Sequence, residues 1–195
     1  NSISSGQVLS CSYDFDKCRI VVREMVELQV LELVAKKLVT DSVTLDIGYD
    51  KNIGQHKYNG PMALDHYGRT VPKPAHGSCK LKEHTSSTER IMEAVLAIYD
   101  RIVDRNLGVK RITLALGNVL DESKVEAEQF VQMDLFTDYT KLEEEKEKQK
   151  RERKLQEAML KIQGKYGKNA ILKGTNLQEG ATTIERNQQI GGHKA

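Results

Sequence analysis

The chain has 195 residues, of which 38% are hydrophobic and 30% are charged, and it contains no tryptophan. That length allows one sizeable core, but the composition is polar for a single globule, so part of the chain is expected to lie outside any core. The net charge of +2 says almost nothing about partners, so any nucleic-acid role has to depend on where individual charges lie.

The cysteines and the start of the chain indicate its setting. Cys11, Cys18 and Cys79 are few and widely spaced, which predicts reduced thiols in a cytosolic protein. No apolar run is long enough to cross a bilayer, and the first residues lack the basic-then-apolar pattern of a signal peptide. Because the chain starts at Asn1 without a methionine, we expect it to be a piece of a larger protein.

The N-terminal region predicts two strands with a helix between them. Residues 3–11 form a weakly signalled strand, because Gly6 and several serines dilute its apolar pattern. Asp14 is placed to cap a helix over residues 15–39, in which apolar residues recur on one broad face. Residues 43–49 then alternate between apolar and polar side chains, which is the period of a half-buried strand.

Residues 51–75 are predicted to be a loop, since they hold all three prolines of the chain. Tyr58 and Tyr67 could pack its two limbs together as a loose hairpin. A third strand is predicted around residues 79–81, where apolar and polar side chains alternate. Ser86 is predicted to cap the helix that follows, as the first residue of a capping box.

A second amphipathic helix and a fourth strand complete the domain. The helix carries a stripe of apolar residues at helical spacing, namely Ile91, Val95, Ile98 and Ile102. Alternation over residues 112–116 predicts the last strand. Residues 1–120 therefore have the order β-α-β-β-α-β. We predict an α+β domain with a four-stranded, mainly antiparallel sheet and two helices on one face.

The remainder of the chain differs in composition. Residues 121–140 form an acidic linker without a sustained period. Residues 141–164 have mixed charge and strong helix formers, which predicts a charged helix of which only the last two turns can pack. Residues 165–195 are rich in glycine and polar side chains and are predicted to be a flexible tail.

The sheet face away from the helices is predicted to be basic and rich in hydroxyl groups. If the apolar side chains of each strand face the helices, the open face carries Lys80, Lys82, His84, Arg111 and Thr113. DNA phosphates are bound by such side chains, so this face is a candidate nucleic-acid interface. The alternative is that polar residues simply alternate outward, as they do on any half-exposed strand.

Neighbouring positions favour the nucleic-acid interpretation. Thr85 and Ser86 bring hydroxyl groups to a helix N-terminus, which attracts anions. Lys110 precedes Arg111 at the start of the fourth strand. The first strand contains small residues that would let a DNA backbone approach closely, namely Ser4, Ser5 and Gly6.

The sequence gives little support for a metal site or a catalytic site. His76, Cys79 and His84 provide only one close pair of ligands, whereas structural zinc needs four in tight pairs. Asp46 and Asp50 lack a second acidic strand end with which to hold two metal ions. No nucleophile elbow, P-loop or dinucleotide fingerprint occurs, so we predict no catalytic residue and no metal in this chain.

One short peptide stands out in the acidic linker. It consists of Gln132, Met133, Asp134, Leu135 and Phe136. Two large apolar side chains in a polar segment outside a finished domain are suited to the pocket of a partner protein, and the glutamine amide can both donate and accept hydrogen bonds. The alternative is an apolar pair that docks back on its own domain.

Several stretches are similar to one protein family. They lie at residues 2–9, 45–50, 76–77, 85–88, 168–174, 180–183 and 190–194. Together with the domain order they resemble the C-terminal part of a Y-family translesion DNA polymerase, closest to the UmuC-like (ImpB/MucB/SamB) proteins of Gram-positive bacteria and their mobile elements. Gln132, Leu135 and Phe136 match the Gln-x-x-Leu-Phe peptide by which bacterial polymerases bind the sliding clamp.

This resemblance implies a role in lesion bypass, within DNA repair, damage tolerance and the SOS response. Residues 1–120 would be the little finger domain, which grips the primer–template duplex. Gln132, Asp134, Leu135 and Phe136 would bind the homodimeric sliding clamp. Cys11 and Ser12 depart from the basic and acidic pair associated with related polymerases, so phosphate contacts there are not expected. The protein would be cytoplasmic and nucleoid-associated.

The resemblance also implies where the chemistry takes place. The parent polymerase would perform metal-assisted nucleotidyl transfer in a palm domain with magnesium, whereas this chain lacks the palm and is expected to be inactive alone. The alternative function is a non-enzymatic adaptor that recruits the clamp or other proteins through its linker and charged helix. A small zinc protein is a third and weaker alternative.

Overall fold

The computed structural model describes residues 1–51, 58–128, 139–190 and 193–194. Its elements, in chain order, are β1 Ile3–Tyr13, α1 Phe15–Ala35, β2 Leu38–Tyr49, β3 Met62–Leu64, β4 Thr70–Pro72, β5 Ala75–Thr85, α2 Thr88–Ile102, β6 Val109–Gly117, β7 Leu120–Asp121, α3 Glu122–Glu128, α4 Tyr139–Tyr166, a 3-10 turn at Gly174–Leu177, α5 Thr183–Asn187, β8 Gln189–Ile190 and β9 His193–Lys194.

The main sheet is antiparallel, with the strand order β1-β6-β2-β5. Helices α1 and α2 pack on one face of it, where the alternating apolar residues of the strands meet the apolar faces of both helices. The predicted α+β fold is therefore confirmed. The loose hairpin suggested for the loop between the second and third long strands is present as the paired strands β3 and β4, whereas the two-residue strand β7 beside the start of β2 was not predicted.

Helix α1 begins where the sequence predicts and ends earlier. The Asp14 side chain accepts a hydrogen bond from the Lys17 backbone N–H at 2.8 Å, which caps the first turn. The helix ends at Ala35 rather than at Val39, because Lys37 has a φ of 54° and turns the chain back into β2. Val39 and the residues after it then enter the sheet.

Helix α2 is capped by Ser87, and the prediction of Ser86 as the cap is wrong by one residue. Ser87 Oγ accepts from the Arg90 N–H at 3.3 Å, whereas the Ser86 carbonyl accepts from the side chain of Gln156 on α4. Further along α2, the Tyr99 hydroxyl donates to the Phe15 carbonyl at 2.8 Å and thereby joins the two helices inside the core.

The loop between β2 and β5 contains a regular hairpin, closed at its base by the Lys73 N–H, which donates to the Pro61 carbonyl at 2.9 Å. The sequence predicted that Tyr58 and Tyr67 would pack the two limbs together. Tyr67 is instead 78% exposed and lies in the turn of the hairpin. Backbone pairing between β3 and β4, rather than ring packing, holds the limbs together.

Helix α4 packs over more of its length than the sequence predicted. Gln156 and Met159 are both buried, and Gln156 donates to the Ser86 carbonyl and to Thr88 Oγ1. One turn earlier, Arg153 donates to both carboxylate oxygens of Glu122 in α3. Polar side chains make these contacts. The prediction counted only apolar residues, of which this helix has few, and so it missed this packing.

Residues 167–190, here called the C-terminal strap, lie against α1, and the prediction of a flexible tail is wrong for them. Glu24 of α1 is 1% exposed, and its carboxylate accepts from the Asn176 side chain at 2.8 Å and from the Thr182 N–H at 2.7 Å. Thr183 N–H donates to the same carboxylate. A buried carboxylate with several donors holds this segment in place.

The cysteines differ in accessibility, which predicts a labelling pattern. Cys11 and Cys79 are exposed, whereas burial of Cys18 in the core raises the pKa of its thiol to about 11. Because the thiolate is the reactive form, a thiol reagent near neutral pH is expected to modify Cys11 and Cys79 in the folded protein and Cys18 only after unfolding. Mass spectrometry of labelled peptides measures this. Equal labelling of all three thiols without denaturant would contradict the core position of Cys18.

Candidate nucleic-acid interface

The sheet face away from the helices, here called the open face, is built from matching rows of the four long strands. In one row Gly6, Thr113, Asp46 and His76 are neighbours across β1, β6, β2 and β5. In the next row the neighbours are Ser4, Ala115, Thr44 and Ser78. None of these residues is buried. The predicted residues Ser4, Gly6 and Thr113 therefore lie together on one surface.

Small side chains protrude little from the open face. The nearest atom to a β-carbon built on Gly6 would be Thr113 Oγ1 at 3.7 Å, an ordinary van der Waals distance, so the glycine keeps this position lower than a larger residue would without being required by crowding. A β-carbon on Gly48 would lie 3.1 Å from the β-carbon of Arg111, so a glycine at this position leaves room for the Arg111 stem. A face of this kind allows a polymer backbone to approach the strands closely.

The charges of the open face are more balanced than the sequence predicted. Arg111 and Lys80 both lie on it and are exposed. Lys80 Nζ is 3.7 Å from Asp41 Oδ2, and His76 Nδ1 is 2.6 Å from Asp46 Oδ1. The alternation of β2 places Asp46 on the same face as these cations. The basic character of the face therefore depends chiefly on Arg111 and on the exposed Lys80 and Lys82 of the edge strand.

His84 lies at the end of β5, where it contacts neighbouring parts of the protein. Its Nε2 is 3.2 Å from the Asn118 carbonyl oxygen and 3.9 Å from Asp41 Oδ2. The Asn118 side chain donates to the same aspartate at 2.9 Å. The ring therefore ties β5 to the turn after β6, at the edge of the open face.

The N-terminus of α2, where the sequence predicted an anion contact, is filled by Glu152 of α4. Ser87 Oγ donates to one carboxylate oxygen at 2.8 Å, and the Glu89 N–H donates to the other at 3.2 Å. Ser86 Oγ accepts from Arg153 of α4, also at 3.2 Å, and Thr85 Oγ1 accepts from the Ser87 N–H. Thr85 and Ser86 are thus engaged within the chain, and the protein supplies its own anion here.

Two further predicted residues lie away from the open face. Ser5 pairs with Leu114, whose side chain faces the helices, and its hydroxyl accepts from Arg186 of the C-terminal strap. Lys110 Nζ donates to the Ser10 carbonyl at 2.8 Å and ties β6 to β1. The same Arg186 also donates to the Gly6 carbonyl, so the strap covers part of the outer edge of β1. Burial lowers the pKa of this arginine.

Sequence reasoning missed half of the open face. It did not include the residues that β2 and the first half of β5 add, namely Ser42, Thr44, Asp46, Gly48, His76 and Ser78. The alternation of polar and apolar residues over residues 43–49 contained the signal, because the polar members must share the face that the apolar members avoid. Most of the missed residues are small and uncharged, whereas Asp46 and His76 contact each other at 2.6 Å.

Two further observations concern metal sites and membrane-spanning helices among the described residues. Within the parts of the chain that the structure describes, no three His, Cys, Asp or Glu side chains come together as a metal site. Among those same residues, no helix combines the length and apolar character that a membrane span needs. The predicted clamp-binding residues Gln132, Asp134, Leu135 and Phe136 lie outside the described residues.

Comparisons with known proteins place these observations in a family. The family model described as the impB/mucB/samB family C-terminal domain matches residues 1–135. A solved structure described as a complex of beta-clamp processivity factor and little finger domain of PolIV is similar at 8% identity and a TM-score of 0.40, covering 70% of this chain and 96% of that one. No curated protein matches the chain significantly.

Proposed function

The chain belongs to the impB/mucB/samB family through its C-terminal domain, and we propose that it is the little finger region of a translesion DNA polymerase. In this proposal it grips the primer–template duplex while the polymerase bypasses a damaged base. The resemblance found in the sequence is thus confirmed at the level of the family. The grip itself and its partners are proposals.

The observation that carries the DNA-grip proposal is the open face. It is a broad, unburied surface of hydroxyl groups, glycines and a few cations, on a sheet whose other face is fully packed. Most protein–DNA hydrogen bonds go to phosphates and sugars from such groups and from backbone N–H groups. The mixed charge and low side chains suit a grip that does not depend on base sequence, as a polymerase needs while it moves along DNA.

We further propose that residues 132–136 tether this region to the sliding clamp. The support is the match of Gln132, Leu135 and Phe136 to the clamp-binding pattern, and their position between α3 and α4, beyond the last strand of the sheet. Holding the protein on a ring around DNA raises the local concentration of DNA at the open face. In this arrangement a weak grip is sufficient.

In this proposal the chemical reaction of the parent enzyme takes place in a different domain. Template-directed nucleotidyl transfer would be done by a separate palm domain with magnesium ions. The contribution of the present chain is to bind and orient the duplex. We therefore expect no DNA synthesis by the 195-residue chain alone.

Salt dependence of DNA binding tests the grip. Lys80→Ala combined with Arg111→Ala is expected to weaken binding to a primer–template duplex. The slope of log K against log salt should fall by about 0.9 for each phosphate that the variant no longer neutralises. Both side chains are exposed on the open face, so the fold should be unaffected. Fluorescence anisotropy at several salt concentrations gives the slope.

The matched control is Lys161→Ala on α4, an exposed lysine on the helix that packs against α1. It removes a positive charge from the other side of the sheet and is expected to leave the slope unchanged. If the wild-type chain does not bind DNA at low salt, or if the double variant has the wild-type slope, the grip is not on the open face.

A further inference from the structure

One aspartate makes most of the hydrogen bonds in the turn of the β3–β4 hairpin. Asp65 Oδ1 accepts from the backbone N–H groups of Tyr67 and Arg69, both at 2.9 Å. The Asp65 N–H donates to the Arg69 carbonyl at 2.9 Å, and the Gly68 N–H donates to the Asp65 carbonyl at 3.0 Å. Gly68 has a φ of 75°, which suits glycine. Four hydrogen bonds that all involve Asp65 therefore close this turn.

The turn presents aromatic side chains to solvent. Tyr67 is 78% exposed, and the neighbouring His66 ring meets it edge-on with centroids 5.5 Å apart. The Arg69 guanidinium lies 4.9 Å from the Tyr67 ring centroid and also bonds the Asp65 carboxylate. Exposed aromatic rings on an ordered turn contribute little to the core. Fixing them in place does favour binding, because it reduces the entropy lost when they contact a ligand.

The hairpin continues from one end of the open face. It joins β2 to β5, whose pairing ends at Ile47 and Ala75, next to the row that contains Asp46 and His76. Arg69 and Lys73 lie on its second limb. If a duplex lay on the open face, the hairpin would lie either past one end of the duplex or along its side.

We propose that the β3–β4 turn binds single-stranded DNA next to the duplex on the open face, with the Tyr67 ring stacked on an unpaired base. This inference rests on the proposed DNA grip. An exposed aromatic ring backed by an arginine is the arrangement that single-strand-binding proteins use for bases of any identity. A base inside a duplex is already stacked on both sides, so the ring favours the unpaired strand of a primer–template.

Two DNA probes and one pair of variants test this inference. The probes are a blunt duplex and the same duplex with a short single-stranded extension, each titrated at one salt concentration. The wild-type chain is expected to bind the extended probe about fivefold or more tightly than Tyr67→Ala does, since one base–aromatic stack contributes at least that much. On the blunt duplex the two proteins should bind equally.

The control variant is Tyr67→Phe, which keeps the ring and removes only the hydroxyl, and it should bind both probes as the wild type does. A fluorescent adenine analogue at the first unpaired position should be quenched by the wild type and by Tyr67→Phe but not by Tyr67→Ala. Both variants change an exposed side chain, so unfolding curves should coincide.

The possible outcomes separate this inference from the proposal it rests on. If Tyr67→Ala binds both probes as the wild type does, or loses affinity for both equally, the single-strand contact is overturned and the DNA grip stands. If the wild type binds neither probe at low salt, the DNA grip itself fails and the hairpin contact fails with it.

Discussion

Replacing Leu135 and Phe136 by alanine is expected to abolish binding to a bacterial sliding clamp without changing the free energy of unfolding. Large apolar anchors in a short peptide carry most of its binding energy, and removing one such anchor commonly costs about 2 kcal/mol or more. Removing both would reduce affinity by about a thousandfold, because each 1.4 kcal/mol is a factor of ten. Titration calorimetry with purified clamp, together with chemical unfolding, measures both quantities.

The matched control is Met133→Ala, which changes an apolar residue at a variable position of the same peptide and should leave clamp binding nearly intact. The main core cluster is formed by residues between Leu9 and Val119, so neither variant should destabilise it. If the double variant unfolds the domain, the two side chains belong to a core and the clamp proposal fails. Clamp binding by a chain that never binds DNA would favour the adaptor alternative.

The fold could be predicted because its strands and helices follow simple periods. Buried and partly buried residues alternate over residues 43–47 of β2 and 112–116 of β6, and the buried residues of α2 recur on one stripe, so each element indicates which face it buries. The residues at which helices and strands begin and end were harder to predict. Ser86 and Ser87 are equally good caps by composition, and the structure distinguishes them because Ser87 Oγ accepts from the Arg90 N–H, whereas Ser86 Oγ accepts from Arg153 of α4.

The docking of the C-terminal strap could not be predicted, because polar contacts hold it. Asn176 and Thr183 are buried against Glu24, while the glycines around them suggest a mobile chain. Composition detects segments that lack apolar residues, but it does not detect a buried carboxylate elsewhere in the chain that supplies their hydrogen bonds. For the same reason the sequence predicted an anion contact at the α2 N-terminus, and α4 provides that anion.

Glu24 accepts most of the hydrogen bonds that join the strap to α1, and Glu24→Gln is expected to release the strap. Both carboxylate oxygens accept hydrogen bonds: Oε1 from Asn176, Oε2 from the Thr182 N–H, and both from the Thr183 N–H. A glutamine offers one accepting oxygen and places an NH₂ group against the remaining donors. Loss of a buried, charge-assisted set of this kind costs about 3 kcal/mol. Hydrogen exchange of the Thr182 and Thr183 amides should accelerate by about a hundredfold, because about 3 kcal/mol corresponds to two powers of ten.

The matched control is Glu27→Gln, which removes a negative charge from the same helix without removing the carboxylate that accepts the hydrogen bonds of the strap. Glu27 lies on the same helix and makes a single ion pair, at 3.2 Å, with Lys173 of the strap, whose side chain is 37% exposed. Its removal should change exchange rates less than Glu24→Gln does, since one ion pair with a partly exposed lysine contributes about 1 kcal/mol or less. Equal effects of the two variants would mean that general electrostatic attraction holds the strap. Unchanged exchange in Glu24→Gln would mean that the Arg186 contacts to β1 are sufficient to hold it.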